Sequence, residues 1–245
     1  MIDPYSVSGL LELCWKYIVL GVVQGLTEFL PISSTAHLKV LPVLFGWGDP
    51  GLSVTAALQL GSIIAVIAYF RIELKVVLKG FKNGMRKGNW QESNSRLSLA
   101  IAVGTFPILL AGMAIKLFWP DYQNSIFRSI PSIALVSILM AFLLAIAEKG
   151  GRRTKSIREV RGFDGFLVGV SQVLALVPGV SRSGITLTTA LMNGWKREDA
   201  ARFSFLLGIP AISLAGVVEL KNSFDHFSLP EFLPIFLGIT SSALI

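Results

Sequence analysis

Residues 165–195 read GFLVGVSQVLALVPGVSRSGITLTTALMNGW, and they decide how the chain is folded. Their only charged residue is Arg182. Before them, Glu148–Asp164 holds six basic residues: Lys149, Arg152, Arg153, Lys155, Arg158 and Arg161. After them comes the basic patch Lys196–Arg202. Apolar segments keep their basic flanks on the cytoplasmic side of a membrane, so both ends of this stretch belong on that side. Two full crossings need about 40 residues, more than the stretch has. The length predicts a helix that enters, breaks at Pro178-Gly179, and returns as a second helix. Such re-entrant backbone is tolerated only where it is buried in protein or lines a cavity.

The rest of the composition agrees. Hydrophobic residues make up 53% of the 245 and charged residues 15%, with mean hydropathy +0.66. Soluble domains carry about 25% charged residues. Residues 51–70, 97–115 and 129–147 contain no Asp, Glu, Lys or Arg. Each approaches the roughly 20 residues that cross a bilayer. The expected class is an all-α, multi-pass integral membrane protein. The net charge of +7 is explained by basic loops facing anionic headgroups and calls for no nucleic acid partner. Cys14 stands alone, which excludes an internal disulfide and disfavours thiolate–metal chemistry. The N-terminus MIDPYS lacks the basic start of a cleavable signal.

The loop from Arg71 to Arg96 carries seven Lys/Arg. Two spans separate it from the Glu148–Asp164 loop, so both are expected on the cytoplasmic face. By the same parity residues 51–70 start outside. Residues 10–48 are then expected to dip in and return from the external face. The two dips resemble each other. Gly21-Val22-x-Gln24 leads to Pro31 and then Ser33 and Ser34, while Gly169-Val170-x-Gln172 leads to Pro178 and then Ser181 and Ser183. Leu60-Gly61 answers Leu207-Gly208 at a matching offset. The expectation is one transmembrane domain over 1–245, with one repeat over about 10–118 and an inverted, shortened copy over about 164–245. Inverted repeats with broken helices place binding sites near the midplane.

The polar residues cluster in the dips. In QGLTEFLPISSTAH (24–37), Gln24 and Glu28 share one helix face, and an ionisable residue in an apolar segment marks a functional site by default. After Pro31, Ser33, Ser34 and Thr35 suit a helix start, where free N–H groups bind anions. His37 lies three residues beyond Ser34, within reach for a base acting on a hydroxyl. In PGVSRSGIT (178–186), Ser181, Ser183 and Thr186 supply hydroxyls. Arg182 supplies the planar fork that suits phosphate. This set fits phosphoryl transfer to water, which depends on positioning and charge stabilisation.

These two stretches resemble the signatures of the undecaprenyl-diphosphate phosphatases, a bacitracin-resistance type of integral membrane phosphatase. The similarity covers nearly the whole chain. It implies hydrolysis of undecaprenyl (polyprenyl) diphosphate to the monophosphate in a bacterial plasma (inner) membrane, recycling the lipid carrier of cell-wall synthesis. It also implies a homodimer and a divalent cation, Mg2+ or Ca2+. Gln24 and Glu28 match the metal-holding positions, with Glu28 also orienting the nucleophile. Ser34 and His37 match the catalytic hydroxyl and imidazole, and either is a candidate nucleophile. Ser33, Thr35, Ser181, Arg182, Ser183 and Thr186 match the diphosphate-binding set.

The sequence departs from that pattern in three places. Gln24 stands where many members have a second carboxylate, Ala36 where a glycine is common. The chain ends at Ile245 inside an apolar segment, so a further span is expected to be missing. The competing expectation is a lipid-phosphate transporter of the same architecture without hydrolysis, since inverted repeats build transporters too. His37 beside Ser34 favours chemistry, because transport needs no base.

Overall fold

The computed structural model describes residues 6–119, 121–122, 125–150, 152–223 and 229–245. Ten α-helices occur among them: α1 (Val7–Phe29), α2 (Ser34–Leu44), α3 (Gly51–Tyr69), α4 (Arg71–Lys87), α5 (Ser93–Phe118), α6 (Ile130–Gly150), α7 (Gly162–Gln172), α8 (Arg182–Met192), α9 (Arg197–Ser223) and α10 (Phe232–Leu244). The described residues form no strand beyond one isolated bridge, Lys155 to Trp195. Five helices are long and apolar enough to cross a membrane: α1, α3, α5, α6 and α9. The chain is an all-α, multi-pass membrane protein. Large apolar side chains such as Phe106, Leu110, Leu135 and Phe142 are exposed on these helices. In water such surface would be a liability, whereas acyl chains cover it without cost.

The expected helix–break–helix over 165–195 is present. Helices α7 and α8 have eleven residues each, a rise of about 16 Å apiece, too short to cross. A 3-10 turn, Val173–Leu176, extends α7 before the break. At the break Gly179 takes φ +96°, a backbone conformation glycine adopts without strain. The first dip differs. Helix α1 is 23 residues long, capped where the Ser6 hydroxyl accepts from the Gly9 N–H at 3.1 Å. It is long enough to cross by itself. It stops at Leu30, whose ψ of 148° is the extended value that a following proline enforces. Charge counting placed this segment but carried no information on where the helix would break.

Contacts divide the chain into two units. The first takes residues up to Leu30, Ser34–Ala68 and Ile212–Ile245. Its core joins Tyr17, Leu20, Leu38, Val54, Ala57, Leu58 and Ile235. Helix α10 lies against α1 and α3 through small residues. A Cβ on Gly25 would stand 2.8 Å from the Ser242 carbonyl oxygen, and one on Gly61 2.6 Å from Ser242 Cβ. Close backbone approach through small residues is how helices associate where no water drives them together.

The second unit takes Pro31–Ser33 and Tyr69–Ala211. Here α7 runs beside α5 in the same direction, with Gly165 against the Ala100 carbonyl and Gly169 against that of Gly104. Tyr122 donates from its hydroxyl to the Leu176 carbonyl at 2.7 Å, just ahead of the break. Trp195 is fully buried against Phe203, ring centroids 5.0 Å apart, while Lys155 lies over its face and pairs with Asp164. The basic loop Arg71–Arg96, expected only as a connection, contains helix α4, which ends at Gly88 with φ +64°.

Candidate active site

In the first unit the polar side chains of α1 form one connected network. Gln24 and Glu28 lie one turn apart, 2% and 8% exposed. Gln24 donates from Nε2 to Glu28 Oε2 at 3.1 Å and to Ser62 Oγ at 3.0 Å. Ser62, on α3, is fully buried and lies 3.2 Å from Ser242 Oγ on α10. From the other side Ser34, the first residue of α2, donates its hydroxyl to Glu28 Oε2 at 2.7 Å. One carboxylate oxygen thus accepts from both an amide and a hydroxyl. Two such bonds satisfy a buried oxygen that would otherwise be costly to hold away from water. The arrangement also places a proton acceptor on the Ser34 hydroxyl, the geometry of an activated nucleophile.

His37 and Thr35 lie on α2 beyond Ser34, and both are exposed. The Ser34 hydroxyl donates to Glu28, six residues before it. Sequence spacing pointed to His37 because helical periodicity links Ser34 to residues after it. Only the turn at Pro31 folds Glu28 back.

In the second unit Ser33 is buried with φ +65°, a left-handed conformation uncommon outside glycine and typical of constrained sites. Pro31, in the same turn, comes within 3.4 Å of a Cβ placed on Gly184. Ser181 caps α8, accepting from the Gly184 N–H at 3.2 Å, and its Oγ lies 3.1 Å from that of Ser183. Thr186 is fully buried, 2.5 Å from Ser204 Oγ on α9, and it donates to the Arg182 carbonyl at 2.9 Å. Nη1 of Arg182 reaches the Ser204 carbonyl at 3.5 Å. A Cβ on Gly208 would collide with that nitrogen, so the glycine holds open the space the guanidinium fills. Within this unit the structure brings together Ser181, Arg182, Ser183 and Thr186, a cation and hydroxyls at the start of a helix.

Sequence reasoning missed Ser62, Ser204 and Ser242. A single serine in an apolar span carries no signal until its neighbours on other helices are known. Gln172, which answers Gln24 in the repeat, is fully buried, and its amide finds no hydrogen-bond partner among the described residues. The two glutamines therefore do different work.

The expected cation can be tested against this donor set. No group of three or more His, Cys, Asp or Glu side chains occurs among the described residues. Glu28 is the one carboxylate of the α1 network, joined by amide and hydroxyl oxygens. That is too little for an all-protein cage. It fits a hard cation that takes one or two carboxylates and completes its shell with water and substrate phosphate oxygens.

The family described as "Bacitracin resistance protein BacA" matches residues 17–245. The chain belongs to this family. Proteins named "Undecaprenyl-diphosphatase" are similar to it along its whole length. That of Prochlorococcus marinus (strain MIT 9303) is 65% identical over 245 residues, covering 100% of this chain and 84% of the relative. That of Synechococcus sp. (strain WH7803) is 63% identical over 245 residues, covering 100% and 86%. That of Parasynechococcus marenigrum (strain WH8102) is 60% identical over 246 residues, with the same coverage. The BacA family resemblance seen in the sequence thus extends over nearly all of this chain.

Proposed function

We propose that Ser34 is the nucleophile and Glu28 its base in removing the terminal phosphate of undecaprenyl diphosphate. The chain is an undecaprenyl-diphosphatase, a hydrolase that serves cell-wall synthesis and bacitracin resistance. The observation that carries the assignment of roles is the Ser34 hydroxyl donating to Glu28 Oε2 at 2.7 Å.

In the first step the Ser34 proton passes to Glu28 as Ser34 Oγ bonds to the terminal phosphorus. The bond from that phosphorus to the bridging oxygen breaks, and undecaprenyl monophosphate leaves with the electron pair. In the second step water attacks the phosphoserine. Glu28 returns its stored proton to the departing Ser34 Oγ, accepts the proton lost by water, and releases it to solvent with inorganic phosphate. Gln24, held by Ser62, fixes the Glu28 carboxylate through both steps. Arg182 binds phosphoryl oxygens and offsets the charge that builds on them. Ser181, Ser183 and Thr186 supply further donors, with Ser33 and Thr35 beside the nucleophile. A divalent cation, Mg2+ or Ca2+, held by Glu28 with Gln24, would neutralise phosphate charge when bound. The enzyme acts in the bacterial plasma (inner) membrane as a homodimer, a reading supported by its apolar helices and by the family resemblance.

The test is a set of variants in detergent or vesicles with polyprenyl diphosphate as substrate. Ser34→Ala and Glu28→Gln each lose phosphate release while remaining folded, and Arg182→Ala loses it with a raised KM. Acid quenching during turnover traps phosphoserine in the unaltered chain, whereas a phosphohistidine at His37 would not survive the acid. Full activity in Ser34→Ala, with loss in His37→Ala, would overturn the assignment in favour of His37.

A further inference from the structure

Helix α4 has a surface that the hydrolytic chemistry does not use. Its 17 residues carry six cations, Arg71, Lys75, Lys79, Lys82, Arg86 and Lys87, against the single carboxylate of Glu73. At 3.6 residues per turn, Arg71, Lys82, Lys75, Arg86 and Lys79 fall within an arc of about 80°. Leu74, Val77, Leu78, Phe81 and Met85 occupy the adjoining arc of about 100°. Leu78 is 68% exposed, Met85 67% and Phe81 39%.

The side of α4 packed on protein centres on Gly80 and Gly84 and takes in Phe81, whose ring lies 5.8 Å from that of Trp90. A Cβ on Gly80 would strike the Asn94 backbone, and one on Gly84 would stand 2.5 Å from the Trp90 ring. Glu73, the one carboxylate of α4, pairs with Arg202 at 3.0 Å, away from the basic stripe. The helix therefore presents the basic stripe and the exposed Leu78 and Met85 side by side, outside the face that Gly80, Gly84 and Phe81 set against protein.

A helix bathed only in water would not expose Leu78 and Met85 in line with Phe81. A span would not carry six cations, each costly in hydrocarbon. Both stripes are satisfied together at one place, the boundary between acyl chains and anionic headgroups. We propose that α4 lies in the headgroup layer, its apolar stripe toward the acyl chains and its basic stripe on the phosphates of anionic lipids. The occupant is the lipid leaflet itself, selected by charge as well as by apolarity. This surface is separate from the residues assigned to hydrolysis and does not depend on that assignment.

The experiment uses the full chain with Cys14→Ala and one fluorophore on a new cysteine, in place of Met85 (apolar stripe) or Asn83 (polar side). Each is reconstituted in phosphatidylcholine vesicles with or without phosphatidylglycerol, and quenching by brominated acyl chains is read. Quenching is expected at position 85 and not at 83. It is expected to rise with phosphatidylglycerol and to fall again in high salt or in a Lys75→Gln, Lys79→Gln, Lys82→Gln variant. The lipid comparison needs no change to the cations, so it stands even if that variant folds poorly. Equal quenching at 83 and 85 would overturn the interfacial placement. Quenching at 85 that ignores phosphatidylglycerol and salt would overturn the anionic preference. A fluorophore at 85 shielded from both lipid and aqueous quenchers would mean that a second copy covers the face, which also overturns the proposal.

Discussion

The guanidinium of Arg182 fills the space that a side chain on Gly208 would need. Helix α8 supplies the charge, and α9 supplies the room for it. Gly208→Ala is expected to displace the guanidinium without removing it. A misplacement of about 1 Å can cost about a hundredfold in rate. Steady-state kinetics on polyprenyl diphosphate should show that loss mainly in kcat/KM, with the melting temperature little changed. Wild-type kinetics in Gly208→Ala would show that the guanidinium has another place to go.

Gln24→Glu tests the cation. The exchange puts a second carboxylate against Glu28 and removes the amide donor to Ser62. Two buried carboxylates in contact repel each other unless a cation binds between them. The variant should melt lower than the unaltered chain in chelator and recover on adding Mg2+ or Ca2+. The unaltered chain should gain less from the same addition. An equal gain in both, followed by thermal shift, would argue against a cation at this pair.

Gly61→Ala tests how tightly α10 is seated. The added methyl would meet the Ile239 carbonyl and Ser242 Cβ. Overpacking of this kind costs about 1–3 kcal/mol. Ser242 would be pushed from Ser62, so the expected result is a lower melting temperature together with reduced activity. Gly112→Ala, where the same probe meets nothing within 4 Å, serves as the control and should change neither.

Tyr122 gives a pH dependence whose sign can be worked out. Burial raises its hydroxyl above the ordinary 10.0, and Arg128 pulls the other way. The folded state therefore holds this proton more tightly than the unfolded chain. The Leu176 hydrogen bond stabilises fully below pH 10 and is lost as pH rises through the folded value. Tyr122→Phe should lower stability by about 1 kcal/mol at neutral pH, and the gap to the unaltered chain should close in strong alkali. A gap independent of pH would assign the effect to packing of the ring.

What the sequence disclosed follows physical scale. Membrane thickness and flanking charge act over tens of residues, so they leave marks in a linear string. Residues 165–195 were legible as helix, break and helix for that reason. The same counting treated Arg71–Arg96 as a loop, because cations register as flanks even when they form one stripe of a helix. The extent of α1 depended on the local cap at Ser6 and the stop before Pro31, which carry little weight in a count of charges. At the candidate site, Glu28, Ser34 and Arg182 stood out as costly polar groups among apolar neighbours. Their partners did not. Ser62, Ser242 and Ser204 gain meaning only from tertiary contact, and Glu28 became the acceptor for Ser34 only once the chain had turned.

Ser62 and Ser242 are 180 residues apart and share a hydrogen bond. During synthesis the first enters the bilayer long before the ribosome reaches the second. Until α10 arrives, the link behind Gln24 and Glu28 lacks its last member, and the buried hydroxyl of Ser62 waits for it. The network around Gln24 and Glu28 is therefore joined to Ser242 only once α10 has inserted. A nascent chain stalled before α10 would hold Gln24 against Ser62 without the hydroxyl of Ser242 behind them.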